Sequence, residues 1–231
     1  MNPEEKAIIF LAEQRGCTQT PWYRSYHTFN FGSYYQEHRK PSGSLRVLND
    51  NTLKEGHQVK HEIQDDTLIL LLPIVGSCQY QYGPDKSGTV EVGQCLNFYA
   101  RQGLEMEISN PFKSEPINYF YAELVAKNDL LGGSTLNGFD LDTNKNTLVN
   151  NLSEQTNAVL IGKFDGRSDG VYKPLATSNQ VFIFIIEGAF EVQNRLLHAR
   201  DGLALWNMCE IEFEALSNEA IILIIESAPS I

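Results

Sequence analysis

The chain has 231 residues, a formal net charge of −11 and 42% hydrophobic residues. That length suits one large domain or two small ones, and the composition is that of a globular rather than a disordered protein. Because the acidic excess repels phosphate groups, direct binding to nucleic acid or to an anionic membrane surface is disfavoured.

The N-terminus carries the signals of one short helix. Pro3 and the pair Glu4 and Glu5 suit a first turn, residues 7–13 can continue it, and Gly16 ends it. An acidic start followed by so brief an apolar stretch is unlike a secretory signal. The longest apolar run, residues 68–75, is too short to cross a bilayer. We therefore expect a cytoplasmic protein that makes no contact with a membrane.

Beyond residue 16 the pattern is typical of β-strands separated by turn residues. The apolar or β-rich segments are residues 47–48, 68–75, 90–98, 119–125, 159–164, 181–186 and 221–225. The order of elements from residue 68 to 125 recurs from 181 to 226, which indicates an internal repeat. The segment 127–157, rich in Asn, Gly, Thr and Asp, is interpreted as a linker. We predict an N-terminal domain at residues 1–135 and a C-terminal domain at 136–231.

Two of these strands, residues 68–75 and 181–186, are apolar at nearly every position, so both of their faces should be covered. Close packing of the two halves explains this pattern. A homodimer interface would explain it too.

Three stretches resemble one protein family. Residues 25–35 (SYHTFNFGSYY) and 44–50 (SLRVLND) resemble the opening signature of the pirin family. Residues 195–206 (RLLHARDGLALW) resemble the closing barrel of pirin-like bacterial proteins. With the internal repeat, the resemblance covers roughly residues 17–225. It implies an all-β fold of two cupin (double-stranded β-helix, jelly-roll) barrels packed together, beside the short N-terminal helix.

The resemblance also implies a metal site. Members of this family typically hold one iron or other divalent metal in the N-terminal barrel through three histidines and a glutamate, and some resemble quercetin-cleaving dioxygenases. An ungapped count back from Gly76 puts Glu62 and Gln64 at the places of the paired histidines. A count from Gly93 puts Met106 at the third histidine and Ile108 at the glutamate. We therefore expect no bound metal and no other cofactor.

A rearranged site for one divalent metal ion is the alternative. Its candidate ligands are His61, Glu62, Gln64, Glu105 and Glu107. Carboxylate and amide oxygens would suit Mg, Ca or Mn better than a redox-active iron.

Strand alternation and the family count disagree about which of these residues face inward. Alternation favours His61, because the Val59, His61 and Ile63 face is the more apolar one, whereas the family count favours Glu62 and Gln64. In the next motif, by analogy with residues 210–214, alternation turns the glutamates outward. The pocket candidates in the N-terminal barrel are His61, Glu62, Gln64, Met106 and Ile108.

The leading functional hypothesis is a non-redox module that binds an unidentified small molecule or protein partner and has a degenerate metal site. The alternative is a metal-dependent dioxygenase of the quercetinase type, in which a metal would act as a Lewis acid on the substrate. Neither hypothesis identifies catalytic residues.

Overall fold

The computed structural model of the protein describes residues 6–125, 133–153 and 157–229. Within these ranges the chain forms strands joined by turns, with one short 3-10 helix at Ala12–Gln14. The all-β fold class expected from the sequence is confirmed. None of the helical structure in these ranges is long and apolar enough to span a membrane.

The strands group into two compact units. The N-terminal unit comprises Gly16–Pro41 and Leu45–Gly138, and the described residues of the C-terminal unit fall within Met1–Arg15, Ser42–Ser44 and Phe139–Ile231. The structure thus divides the chain at Gly138 and Phe139, whereas the sequence-based division fell at residues 135 and 136. It also assigns residues 6–15 and 42–44 to the C-terminal unit.

The strands of the N-terminal unit are β2 Gly16–Gln19, β3 Tyr23–His27, β4 Leu45–Leu53, β5 Gln58–Glu62, β6 Thr67–Val75, β7 Cys78–Tyr82, β8 Lys86–Val90, β9 Gln94–Ala100, β10 Glu105–Ser109, β11 Ile117–Val125 and β12 Thr135–Gly138. They form a seven-stranded and a four-stranded antiparallel sheet, in the orders β12-β9-β6-β11-β4-β3-β2 and β5-β10-β7-β8.

The strands of the C-terminal unit are β1 Lys6–Phe10, β13 Thr147–Ser153, β14 Ala158–Phe164, β15 Asp169–Tyr172, β16 Gln180–Glu187, β17 Ala189–Val192, β18 Arg195–His198, β19 Gly202–Trp206, β20 Ile211–Ala215 and β21 Ala220–Ser227. They form a six-stranded and a four-stranded sheet, in the orders β1-β19-β16-β21-β14-β13 and β15-β20-β17-β18.

The internal repeat predicted from the sequence is visible in these strand orders. The run β9-β6-β11-β4 of one unit matches β19-β16-β21-β14 of the other, and β5-β10-β7-β8 matches β15-β20-β17-β18. Each unit is therefore a barrel built from the same eight-strand pattern, to which edge strands have been added.

The predicted N-terminal helix is wrong over the described residues. Lys6–Phe10 forms strand β1, which pairs antiparallel with β19 from Lys6 and Trp206 to Phe10 and Gly202. Phe10 is buried, and the centroid of its ring lies 5.5 Å from that of Phe182. Pairing at a sheet edge satisfies the backbone and buries an apolar side chain, and this tertiary gain outweighs local helix signals. Residues 1–5 lie outside the described residues.

The predicted linker at 127–157 also contains strands. Thr135–Gly138 pairs with β9 and extends the N-terminal sheet, while Thr147–Ser153 pairs with β14 and extends the C-terminal sheet. The segment therefore supplies one edge strand to each unit. The predicted linker residues 127–132 and 154–156 lie outside the described residues.

The interiors of the two barrels differ in polarity. The C-terminal core consists mainly of aliphatic and phenylalanine side chains, with edge-to-face contacts among Phe164, Phe190 and Phe213. It also includes Tyr172, whose hydroxyl donates to the buried carboxylate of Glu226. The N-terminal interior also has an aliphatic part, but Tyr119 and Tyr121 lie within it. The polar interior of the N-terminal barrel makes it the better candidate for a ligand site.

Candidate functional site

His61 lies inside the N-terminal barrel. It is paired with Met106 across the β5 and β10 ladder, and Ile108, two residues further along β10, is on the same face. All three side chains are buried. The structure therefore resolves the conflict in the sequence in favour of strand alternation.

The carboxylates expected near His61 lie on the outer face of the same two strands. Glu62 and Glu105 are exposed and opposite each other in the ladder. Lys60 Nζ lies 2.6 Å from Glu105 Oε1, and Gln58 Nε2 donates to Glu107 Oε2 over 2.9 Å.

Gln64 follows the end of β5 and is exposed, with its side-chain amide donating to the Glu62 carbonyl over 3.2 Å. Of the five pocket candidates, the structure thus brings together His61, Met106 and Ile108. It separates Glu62 and Gln64 from them. The proposed rearranged ligand set therefore does not converge around His61.

The environment of His61 keeps its imidazole neutral. Its ring stacks on Tyr121, with centroids 4.4 Å apart and planes 11° from parallel. Burial lowers the pKa of His61 to about 4, because the imidazolium form would lose its hydration. Its Nε2 atom is buried and has no hydrogen-bond partner within the described part of the chain.

Strand β11 supplies a row of polar side chains to the same interior. Tyr119, Tyr121 and Glu123 occupy every second position of the strand and so share its inner face. The Tyr121 hydroxyl donates a hydrogen bond to Glu123 over 2.7 Å. Burial raises the pKa of both tyrosines well above the usual value, and burial also raises the pKa of Glu123. The Tyr119 hydroxyl is buried without a partner among the described residues.

Strands β3 and β4 extend this polar surface. Asn49 is opposite both Tyr121 and His27, so the three side chains share one face. His27 Nδ1 lies 3.0 Å from Asn49 Oδ1, and His27 Nε2 lies 2.9 Å from Thr18 Oγ1. His27 is fully buried, as expected of a hydrogen-bonded core histidine. Asn49 Nδ2 is a third buried polar atom with no partner within the described ranges.

Sequence reasoning did not identify Asn49, Tyr119 and Tyr121. The sequence did contain a signal for a polar interior. Asn49 and Asn51 occupy every second position of a strand whose buried face is otherwise largely apolar. In a sheet that covers a barrel, polar residues at every second position line the interior. Tyr23, which donates to Asn51 over 2.7 Å, belongs to the same polar surface.

Comparison with known proteins agrees with this architecture. Residues 153–226 match the family model described as the quercetinase C-terminal cupin domain. The chain is 22% identical over 225 residues to quercetin 2,3-dioxygenase of Escherichia coli K12, covering 94% of this chain and 97% of that protein. The crystal structure of YhhW from Escherichia coli covers 98% of this chain and 99% of its own, with a TM-score of 0.86 at 20% identity.

The chain is similar in sequence and in fold to the pirin-like bicupins. A second structure of YhhW, described as a bacterial pirin in complex with nickel(II), matches this bicupin with a TM-score of 0.82 and 20% identity over 98% of the chain.

The residues present in this bicupin do not fit a centre of three histidines and a glutamate. The inner face of β5 and β10 carries one imidazole, that of His61, which faces the thioether of Met106 and lies beside the alkyl side chain of Ile108. Within the described ranges, no group of three or more His, Cys, Asp or Glu residues is arranged to hold a metal ion. A transition metal needs several nitrogen, oxygen or thiolate donors directed at one point, and these strands direct only one inward.

Proposed function

We propose that this pirin-like bicupin is a non-redox binding module whose N-terminal barrel accepts a small organic molecule. The observation that carries the proposal is the pairing of His61 with Met106, while the neighbouring carboxylates lie on the opposite face of the sheet. The interior thus offers hydrogen-bonding and apolar surface, which is the usual chemistry of small-molecule pockets.

The electrostatics of the interior support the same proposal. His61 is neutral at physiological pH, and the pKa of Glu123 is raised by burial. Holding a divalent cation in such surroundings requires anionic or multiple neutral donors to replace its hydration shell. The inward side chains at Met106 and Ile108 supply neither.

Elemental analysis tests the proposal directly. Protein purified without chelators is expected to carry well under one equivalent of iron, copper, nickel or manganese. The matched comparison is the double variant Met106→His, Ile108→Glu, which places an imidazole and a carboxylate beside His61. The wild type should show no rise in melting temperature when nickel(II) is added, and the double variant should show one. One equivalent of metal in the wild type, lost in His61→Ala, would contradict the proposal.

A metal-dependent dioxygenase of the quercetinase type is the second candidate. Two observations favour it: the relatives that carry that name, and the buried His61 Nε2 atom that lacks a partner among the described residues. A metal bound there would supply Lewis-acid activation of an enolic substrate. This candidate predicts metal-dependent cleavage of quercetin that is abolished in His61→Ala and retained in His198→Ala, a change at an exposed histidine.

A further inference from the structure

A pocket of about 290 Å³ lies in the C-terminal unit, between strand β1, the turn that joins β17 to β18, and the end of β19. Of the residues that line it, Leu205 and Met208 belong to the core of this unit, and Ala7 packs against that core. The volume is near the lower end of the range for small-molecule sites. The pocket therefore has room for a small organic molecule and an apolar surface for that molecule to contact.

The same pocket is lined by two cationic residues. Lys6 begins β1 and Arg195 begins β18, and no acidic residue is among the described residues that line the pocket. Over the described ranges neither cation has a carboxylate partner. Lys6 Nζ lies 5.6 Å from the centroid of the Trp206 ring, and Arg195 Nη1 donates to the Gln193 carbonyl over 2.6 Å. Two positive charges without a counter-charge favour the binding of an anion.

The turn between β17 and β18 positions Arg195. Gln193 and Asn194 have φ angles of 46° and 58°, the left-handed conformation of a two-residue turn that closes a β-hairpin. Gln193 Nε2 donates to the Glu210 carbonyl over 2.9 Å, which ties the turn to the segment before β20. Since the Arg195 guanidinium bonds back to this turn, its charge is held beside the pocket.

The carboxylates of the four-stranded sheet of this unit lie outside the pocket. They line a separate depression of about 380 Å³ and are Asp169, Glu191, Glu212 and Glu214. Strand alternation puts them on the outer face of the sheet, opposite the buried Ile211 and Phe213. Residues 193 and 194 border both the depression and the pocket. Because repulsion by these carboxylates grows with the charge of a ligand, a ligand with one negative charge is favoured over one with several.

We propose that this pocket is a binding site for a small organic carboxylate with an apolar body. Lys6 and Arg195 hold the carboxylate group, and the apolar body contacts Leu205 and Met208. The ammonium and guanidinium groups supply N–H donors together with positive charge. The net charge of −11 disfavours extended polyanions, whereas a single carboxylate responds mainly to the charges within about 10 Å of it. The site is independent of the binding function proposed for the N-terminal barrel.

Benzoate and benzyl alcohol form a matched pair of probes, because they share a ring and a similar size but differ in charge. The measurement is a titration followed by NMR of protein labelled at the methionine methyl groups. Met208 lines the pocket, whereas Met106 lies in the core of the N-terminal unit and reports on that barrel. Benzoate is expected to shift the Met208 signal saturably, with a Kd of about 1 mM or lower, and to leave the Met106 signal unchanged. It should bind at least about fivefold more tightly than benzyl alcohol.

The variants Lys6→Gln and Arg195→Gln each remove one of the two charges. Each should weaken benzoate binding about fivefold to tenfold, and the double variant should abolish it. Lys6 is exposed, so Lys6→Gln should melt within about 2 °C of the wild type. The control is Arg167→Gln, which makes the same change of net charge at an exposed arginine that does not line the pocket. It should bind benzoate like the wild type.

Each outcome tests one part of the proposal. No saturable shift of the Met208 signal at about ten times the expected Kd would overturn the site. Equal affinity for benzyl alcohol would overturn the carboxylate class. Equal affinity of Lys6→Gln and the wild type for benzoate would overturn the assignment of the contacts. A saturable shift of the Met106 signal alone would place benzoate in the N-terminal barrel, which would overturn this inference and support the binding function proposed there.

Discussion

The ring of His61 stacks on the ring of Tyr121 with a centroid separation of 4.4 Å and an angle of 11° between the planes. The contact joins the four-stranded sheet of the N-terminal barrel to its seven-stranded sheet. It holds the imidazole against a tyrosine ring, while the carboxylates of Glu62 and Glu105 lie on the outer face of the four-stranded sheet. The site is consequently built for hydrogen bonding by neutral groups.

Protonation of His61 should destabilise the fold in mild acid. The pKa of His61 is lowered from 6.5 to about 4 in the folded protein, so between these values the unfolded chain binds more protons. This contribution to stability is present above pH 6.5 and is lost as the pH falls toward 4, by about 3 kcal/mol. Urea denaturation at pH 7 and pH 4 measures the loss.

The variant His61→Phe keeps an aromatic ring against Tyr121 and removes the titrating group. Between pH 7 and pH 4 the free energy of unfolding should fall in both proteins. The fall should be about 3 kcal/mol smaller in His61→Phe than in the wild type. Identical pH profiles for the two proteins would mean that the imidazole is hydrated in the folded state.

The outward carboxylates should be dispensable for the stability of the N-terminal barrel. Glu62 and Glu105 lie on the outer face of the sheet, where Glu105 pairs with Lys60 in solvent. Exposed ion pairs contribute little, so the double variant Glu62→Gln, Glu105→Gln should melt within about 3 °C of the wild type. A fall in melting temperature well beyond this range would show that these carboxylates contribute more than exposed ion pairs do.

Gly170 provides the space that the Phe213 ring occupies in the C-terminal barrel. A Cβ atom added at Gly170 would lie 2.2 Å from Phe213 Cζ. Gly170→Ala should therefore lower the free energy of unfolding by about 1–3 kcal/mol, because the ring must move within a packed core. Chemical denaturation checks this value.

Gly138→Ala is the matched control, since a Cβ atom there meets nothing within 4 Å. Its free energy of unfolding should lie within about 0.5 kcal/mol of the wild type. Equal effects of the two substitutions would show that backbone preference, and not the Phe213 ring, determines the cost.

Glu226 organises the loop that follows β15. Its buried carboxylate accepts hydrogen bonds from the Tyr172 hydroxyl, from the Leu175 amide at 2.8 Å and from the Asn179 side chain at 2.6 Å. Glu226→Gln replaces one acceptor oxygen with an NH2 group that faces donors. It should cost about 1–3 kcal/mol of stability.

The control for Glu226→Gln is Glu212→Gln, the same change at an exposed glutamate of the same unit. Its effect on the denaturation midpoint should be negligible. If Glu226→Gln behaved like the control, the loop would not depend on the carboxylate.

Much of the architecture was predictable from local sequence. The strand predicted at residues 119–125 is present as Ile117–Val125, and that predicted at 181–186 as Gln180–Glu187, because apolar β-rich runs bounded by turn residues have few alternatives. The N-terminal segment was predicted wrongly, because the partner of Lys6–Phe10 is a strand about 195 residues away. Local helix signals carry no information about the sheet edge with which this segment pairs.

The candidate site was only partly predictable. Alternation in β5 and β10 correctly placed His61, Met106 and Ile108 inside, because side chains on a strand change faces at every residue. Asn49 and Tyr121 were missed, because Asn49 lies beside Tyr121 only through the pairing of β4 with β11, and His61 reaches Tyr121 only through the packing of the two sheets.

The sequence by itself determined that this protein is all-β and internally repeated, because periodicity and turn residues are local features of the chain. Its motifs also showed the resemblance to the pirin family. Only the tertiary structure decided which face of β5 and β10 is enclosed and which groups meet around Tyr121. Ladder register and sheet packing are set by contacts between distant segments, and a shift of one residue would have turned Glu62 inward and His61 outward.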